Sequence, residues 1–155
     1  MIFIPGNVPS SKNSKVKAKG GIFNSPAVSK YIRNLGIQSF SSSRKTVEGY
    51  VDPNRPNQFE EFRDEFKKMR GDKGDPIFLG VHQVRRTRHK FDFSNSLEII
   101  QDLLTAHDFI EDDNMNYLIP IPMSINGELP TPKNVRELEW FSHDKDNPGV
   151  YLKIF

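Results

Sequence analysis

"PIFLGVHQVRR" (Pro76–Arg86), followed by "HKFDFSNSLEIIQDLLTAHDFIEDDNMNYLIPIPM" (His89–Met123), holds the strand–helix–strand unit on which the fold reading rests. In the first stretch Ile77, Leu79 and Val81 alternate with Phe78, Gly80 and His82. Both faces carry apolar groups, which predicts a central strand. The stretch Asn95–Phe109 predicts a helix. Leu97, Ile100 and Leu104 form one stripe, and Ile99 and Leu103 widen it. Asn95 reads as its N-cap, with Glu98 three residues on as the partner of a capping box. In Asn114–Met123 the prolines at 120 and 122 interrupt a strand pattern, which suits an edge position.

Outward from this unit, "MIFIPG" reads as a short first strand and "GVYLKIF", from Gly149, as the last. The polar, basic stretch from Asn7 to Gly20 reads as a loop, and "GIFNS" (Gly21–Ser25) as the second arm of a hairpin. Ser25 before Pro26 marks a helix start, with Val28, Ile32 and Leu35 on one face through Phe40. Residues 41–57 read as loop. Phe59, Phe62 and Phe66 recur at helical spacing within "QFEEFRDEFKKM" and predict a buried stripe rather than a stacking platform. The expected architecture is α+β: a single domain spanning 1–155, with one mixed β-sheet and helices packed on one side.

Composition narrows the function classes. The chain has no cysteine, so disulfides and thiolate metal sites are excluded. No window approaches the roughly 18 apolar residues of a membrane span. The N-terminus lacks the order of a secretory signal, and a cytoplasmic protein without membrane contact is expected. Net charge is only +2, but its layout is uneven. No acid precedes Glu48, whereas Lys12, Lys15, Lys17, Lys19, Lys30, Arg33, Arg44 and Lys45 do. Arg85, Arg86, Arg88 and Lys90 make a second basic run. From Asp92 to Met115 the sign reverses, with seven acids and no Lys or Arg. Two basic segments and one acidic segment point to a polyanion surface beside a cation site.

Asp92 falls at the strand-to-helix turn, and Asp112 and Asp113 at the helix-to-strand turn. Phosphodiester hydrolysis needs an activated water and neutralisation of charge as the bond breaks. Mg²⁺ meets both needs and prefers a few carboxylate oxygens, with water and phosphate in its other positions. A helix of about 13 residues moves the chain roughly 20 Å at about 1.5 Å per residue. The two clusters therefore share one metal only if the flanking turns fold back or a second subunit supplies one of them.

A central strand, a basic run, D-x-x-N at a helix start, an amphipathic helix and then D-D before another strand resembles the RusA-like Holliday junction resolvases. The carrying residues are "DFSN" from Asp92 and "EDDN" from Glu111, together with the opening "IPGNVPSSKNSK". Arg44 to Gly71 stands apart as an insertion or divergent arm. The resemblance implies a dimeric, Mg²⁺-dependent endodeoxyribonuclease of bacterial or phage origin, with Mn²⁺ able to substitute. It implies branched DNA as substrate. Asp92, Asp112 and Asp113 match the family's catalytic, metal-binding aspartates, and Asn95 its asparagine. Ser94 stands where the family has a further aspartate, and Glu98 where a lysine is usual. Glu111 and Asp108 are the candidate replacements for the missing acid. A branched-DNA-binding protein without cleavage is the alternative.

Lys12, Lys15, Lys17, Arg85, Arg86, Arg88 and Lys90 are the candidate DNA contacts. They would hold phosphates by charge and counterion release, without choosing sequence. His82, His89, His107 and His143 have no metal-ligand spacing. His107 near a helix end suits a structural cation. Trp140 and Phe141 read as core or dimer interface.

Overall fold

The computed structural model describes residues 1–10, 15–18, 21–35, 58–89 and 91–155. Strand β4 (Ile77–Arg85) is the spine of a five-stranded mixed sheet. Along one edge it pairs antiparallel with β7 (Gly149–Ile154), which in turn pairs antiparallel with β1 (Ile2–Pro5). Along its other edge it runs parallel to two short strands. These are β5 (Leu118–Pro122) beside its first half and β6 (Phe141–His143) beside its end. A separate two-stranded hairpin joins β2 (Lys15–Ala18) to β3 (Gly21–Asn24). The expected loop at Lys15 and Lys17 is therefore a strand, and the expected second arm is β3.

Period-two alternation sorts the sheet into two faces. Ile2 and Ile4, Ile77, Leu79 and Val81, and Val150, Leu152 and Ile154 face the helices and are buried. Helix α1 (Pro26–Asn34) contributes Val28 and Tyr31 to this core, helix α2 (Gln58–Arg70) contributes Phe66, and helix α3 (Phe93–Ala106) contributes Leu97, Ile100 and Leu104. Ser25 accepts the Val28 N–H at 3.4 Å, as the sequence predicts for an N-cap. The predicted helix beyond Leu35 and the loop through 57 lie outside the described residues. In the predicted Phe stripe, Phe66 is fully buried and sits edge-on to Phe109 at 5.3 Å, while Phe62 packs at the core's margin. Among the described residues no helix is long and apolar enough to cross a membrane.

The opposite face has no helix from the described residues. His82, Val84 and Met123 are buried there. Gly80 permits close packing on this face, since a Cβ in its place would lie 2.5 Å from the Phe155 ring and 2.7 Å from the Met123 sulfur. The buried His82 ring contacts two oxygens: Nδ1 lies 3.0 Å from the Met123 carbonyl and Nε2 2.9 Å from Ser142 Oγ. A carbonyl only accepts, so Nδ1 carries the proton and Nε2 accepts from the serine hydroxyl. Burial pushes the His82 pKa down, against smaller opposing effects of the Met123 carbonyl and Glu139.

Two boundaries of α3 differ from the sequence reading. Asp92, not Asn95, is the N-cap. Its backbone is extended (φ −92°, ψ 117°) and its carboxylate accepts the Ser94 N–H at 3.1 Å. Asp caps as well as Asn, and starting at Phe93 adds a residue that packs against the core. Glu98 then lies too far along the helix to close a capping box. At the other end the helix stops at Ala106. Asp108 takes a left-handed conformation (φ 60°), and the N–H groups of Phe109 and Ile110 both turn back to the Leu104 carbonyl. Phe109 is thus buried as a post-helical anchor.

Candidate functional site

The first turn of α3 is fastened to the spine by a buried pair. Gln83 of β4 donates from Nε2 to Ser96 Oγ over 2.7 Å, and Ser96 donates in turn to the Phe93 carbonyl at 3.1 Å. This fixes Asp92 where β4 ends. Asp92 is exposed, and its Oδ1 receives the Ser94 hydroxyl at 2.6 Å in addition to the Ser94 amide. Ser94 thus serves the Asp92 carboxylate as a double hydrogen-bond donor. Asn95, expected as the cap, is half-buried inside the first turn.

Asp112 and Asp113 lie on the loop between α3 and β5. Asp112 is tightly held: Oδ1 accepts the Asp113 N–H and Oδ2 the Asn114 side-chain amide, both at 2.7 Å. The Asp113 N–H, with the Asn114 amide second, holds the Asp112 carboxyl below the usual carboxylate range. Asn114 also closes a turn, accepting the Asn116 N–H at 2.9 Å on its side chain and the Tyr117 and Leu118 N–H groups on its carbonyl. Glu111 is exposed, and its charge is the largest influence pushing the Tyr117 pKa up. Asp108 and Glu111 line a groove of about 330 Å³ opposite Lys67 and Arg70 at the end of α2.

Because β4 and β5 are parallel, the helix between them runs the other way, and its two ends lie at opposite ends of the sheet. The acidic loop does not stay at the far end. Gln101 donates from Nε2 to the Asp113 carbonyl at 3.4 Å. Gln101 is nine residues past Asp92, about 14 Å along the axis at 1.5 Å per residue, against about 21 Å for the whole helix. The loop therefore climbs back beside α3. It does not bring the two clusters into one site: among the described residues no group of three or more His, Asp or Glu side chains is placed to hold a metal. The donors are hard carboxylate oxygens, the chemistry Mg²⁺ prefers. Their placement within one chain does not complete a ligand set.

The predicted basic run divides into parts of different character. Arg85 is half-buried. Its Nη1 donates to the Val8 carbonyl at 2.7 Å, its guanidinium lies 4.8 Å from the centre of the Phe91 ring, and its Nε is buried without a hydrogen-bond partner. It braces the loop after β1 against the end of β4. Asn7 does the same from the other side, accepting the Arg86 N–H at 3.1 Å. Arg86, Arg88 and His89 are exposed. Lys12 and Lys90 lie outside the described residues. Lys15 and Lys17 occupy β2 opposite Asn24 and Ile22.

Trp140 and Phe141, read from the sequence as core or dimer interface, lie outside the buried core at this corner, beside Ser142, which no sequence signal marks. Phe141 on β6 is 51% exposed and meets Phe91 at right angles, ring centres 5.2 Å apart. Trp140 is half-buried and donates to the Val135 carbonyl at 3.1 Å. Ser142 is joined to His82. Strand β6 has three residues and no apolar alternation, so no periodic signal announces it. His107, expected to be a helix-end cation, caps α3 with its pKa pushed down by burial.

No protein-family model, no curated protein and no solved structure matches this chain.

Proposed function

We propose that the protein is a divalent-metal-dependent endodeoxyribonuclease that cuts branched DNA, working as a homodimer in a bacterial cytoplasm, as its resemblance to the RusA-like resolvases implies. The observation that best supports this reading is the return of the acidic loop along α3 through the Gln101–Asp113 hydrogen bond. It moves Asp112 and Asp113 toward the end of the helix that carries Asp92, and the exposed Arg86 and Arg88 precede that end in the chain.

In this reading Asp92, Asp112 and Asp113 are the metal-binding carboxylates, and a second subunit or the bound DNA completes the ligand set that one chain leaves open. The Mg²⁺ or Mn²⁺ so held would neutralise phosphate charge and supply an acidified water. The chain's own groups do the rest. Arg86 and Arg88 hold the phosphate backbone. Gln83 and Ser96 fix the Asp92 turn, and Asn114 and Gln101 fix the acidic loop.

Incubation with a synthetic four-way junction tests this. Nicking in Mg²⁺ that stops with EDTA is expected. Failure to bind the junction at low salt overturns the reading.

A second reading, a branched-DNA-binding protein that does not cut, is favoured by one contact. The Ser94 hydroxyl donates to Asp92 at 2.6 Å where the family has a metal-binding acid. Tight binding with no cleavage in either Mg²⁺ or Mn²⁺ selects it.

A further inference from the structure

The corner where β4, β6 and the start of α3 meet carries an aromatic surface that the carboxylates and cations do not use. Phe141 exposes half its surface on a short edge strand. Single exposed apolar side chains are ordinary on protein surfaces. This one differs in how it is held. Phe91 abuts it at 88°, and Phe91 is in turn covered by the Arg85 guanidinium, which the Val8 carbonyl anchors. The ring is therefore fixed in place before anything binds. His143, two residues further along β6, is also exposed. It projects to the same side as Phe141, about 7 Å away at the strand rise.

The neighbours define the occupant. Phe91 is adjacent in sequence to Asp92, and the exposed Arg86 and Arg88 follow the end of β4. A fixed aromatic face bordered by cations suits a nucleobase whose phosphates lie on the arginines, and stacking of this kind takes any base. A paired base hides its faces within the duplex. An unpaired one does not.

We infer that Phe141 is a stacking site for an unpaired DNA base, with His143 as a second platform along the same strand. This rests on the reading of the protein as one that acts on DNA, and it specifies which part of a branched substrate is held at this corner: the unpaired nucleotide.

The test uses fluorescein-labelled single-stranded and duplex oligonucleotides of one sequence, read by anisotropy, and a single-stranded oligonucleotide bearing one 2-aminopurine. Wild type is expected to quench the 2-aminopurine. Phe141→Ala should weaken single-strand binding roughly ten-fold, the scale of one base–aromatic stack, and relieve the quenching. Duplex affinity should stay within about two-fold. Phe141→Trp and Phe141→Tyr should retain single-strand binding. The side chain is half exposed, so circular dichroism should give all three variants the wild-type fold. Unchanged single-strand affinity and quenching in Phe141→Ala would overturn the inference and leave the DNA reading intact. Absence of any DNA binding by wild type would overturn both. A dimer-to-monomer change in Phe141→Ala by analytical ultracentrifugation, with quenching preserved, would make the ring an interface residue and also overturn the inference.

Discussion

Gln101 donates its side-chain amide to the Asp113 carbonyl across 3.4 Å, so the middle of α3 holds the loop that follows it. This contact is half-buried and long, and its loss should cost no more than about 1 kcal/mol of stability. Its effect on the proposed chemistry should be larger, because it sets how far the Asp112–Asp113 pair travels back toward Asp92. Gln101→Leu is expected to melt within a few degrees of wild type and to cut a four-way junction at least ten-fold more slowly. Equal cutting rates would show that the loop's position is irrelevant to activity.

Asp92 has two separable duties. As the N-cap of α3 it satisfies the Ser94 amide, and as a carboxylate it carries charge. Asn caps nearly as well as Asp but is neutral. Asp92→Asn should therefore keep its melting temperature and lose cleavage, whereas Asp92→Ala should lose cleavage and about 1 kcal/mol of stability as well. Denaturant melts of both variants, set beside cleavage assays, separate the duties. Full activity in Asp92→Asn would remove this residue from the proposed ligand set.

The Gln83–Ser96 hydrogen bond is almost wholly buried, and the Gln83 Oε1 already has no partner. Ser96→Ala leaves the Nε2 end unpaired too. An unsatisfied buried amide costs about 1–3 kcal/mol, and urea denaturation should show a loss of that size. A double change of Gln83→Leu with Ser96→Ala should recover part of it.

The arginines should behave unlike one another. Arg85→Ala removes the brace on Val8 and the stack on Phe91 and should destabilise by about 1–3 kcal/mol. Arg86→Ala and Arg88→Ala should leave stability unchanged. Each should instead lower the slope of log affinity against log salt by about 1. Titrations of DNA binding at several salt concentrations check this.

Acid should destabilise the fold through His82. Its pKa is depressed in the folded chain, so between that value and about 6.5 the unfolded chain binds a proton that the folded chain does not. Stability is complete above about 6.5 and is lost as the pH falls toward the folded value. Tyr151 packs 6.4 Å from the ring, and Glu139 is the charged neighbour that opposes the shift. His107, whose pKa is also pushed down, adds in the same direction. His82→Asn should melt lower at neutral pH but lose less between pH 7 and pH 5 than wild type does.

Much of the architecture is legible in the residues themselves. The two-faced apolar run of β4, the stripe of α3 and the prolines of β5 each carry a periodic or steric signal strong enough to read directly. The α+β class and the mixed sheet follow from their order. Other features depend on contacts between distant residues. The cap moved from Asn95 to Asp92 because Phe93 finds core to pack against. Strand β6 exists only because the end of β4 offers it a partner. Arg85 looks like its neighbours in sequence, and only the proximity of Val8 and Phe91 makes it a brace. For the candidate site, the carboxylates can be located by sequence, but their separation depends on the path of one loop, which Gln101 sets from within the helix.

Met123 donates its N–H to the Val81 carbonyl, so along β5 the odd-numbered residues turn their amides toward β4. Pro120 and Pro122 fall on the alternate positions, where an ordinary residue would offer an N–H to the outside. The outer rim of β5 therefore has no donors at those two places for an arriving strand to use. Only carbonyl acceptors remain at those two places, so continuing the sheet into a second copy across that rim is disfavoured. Among the described residues β1 and the three-residue β6 are the other lateral margins of the main sheet.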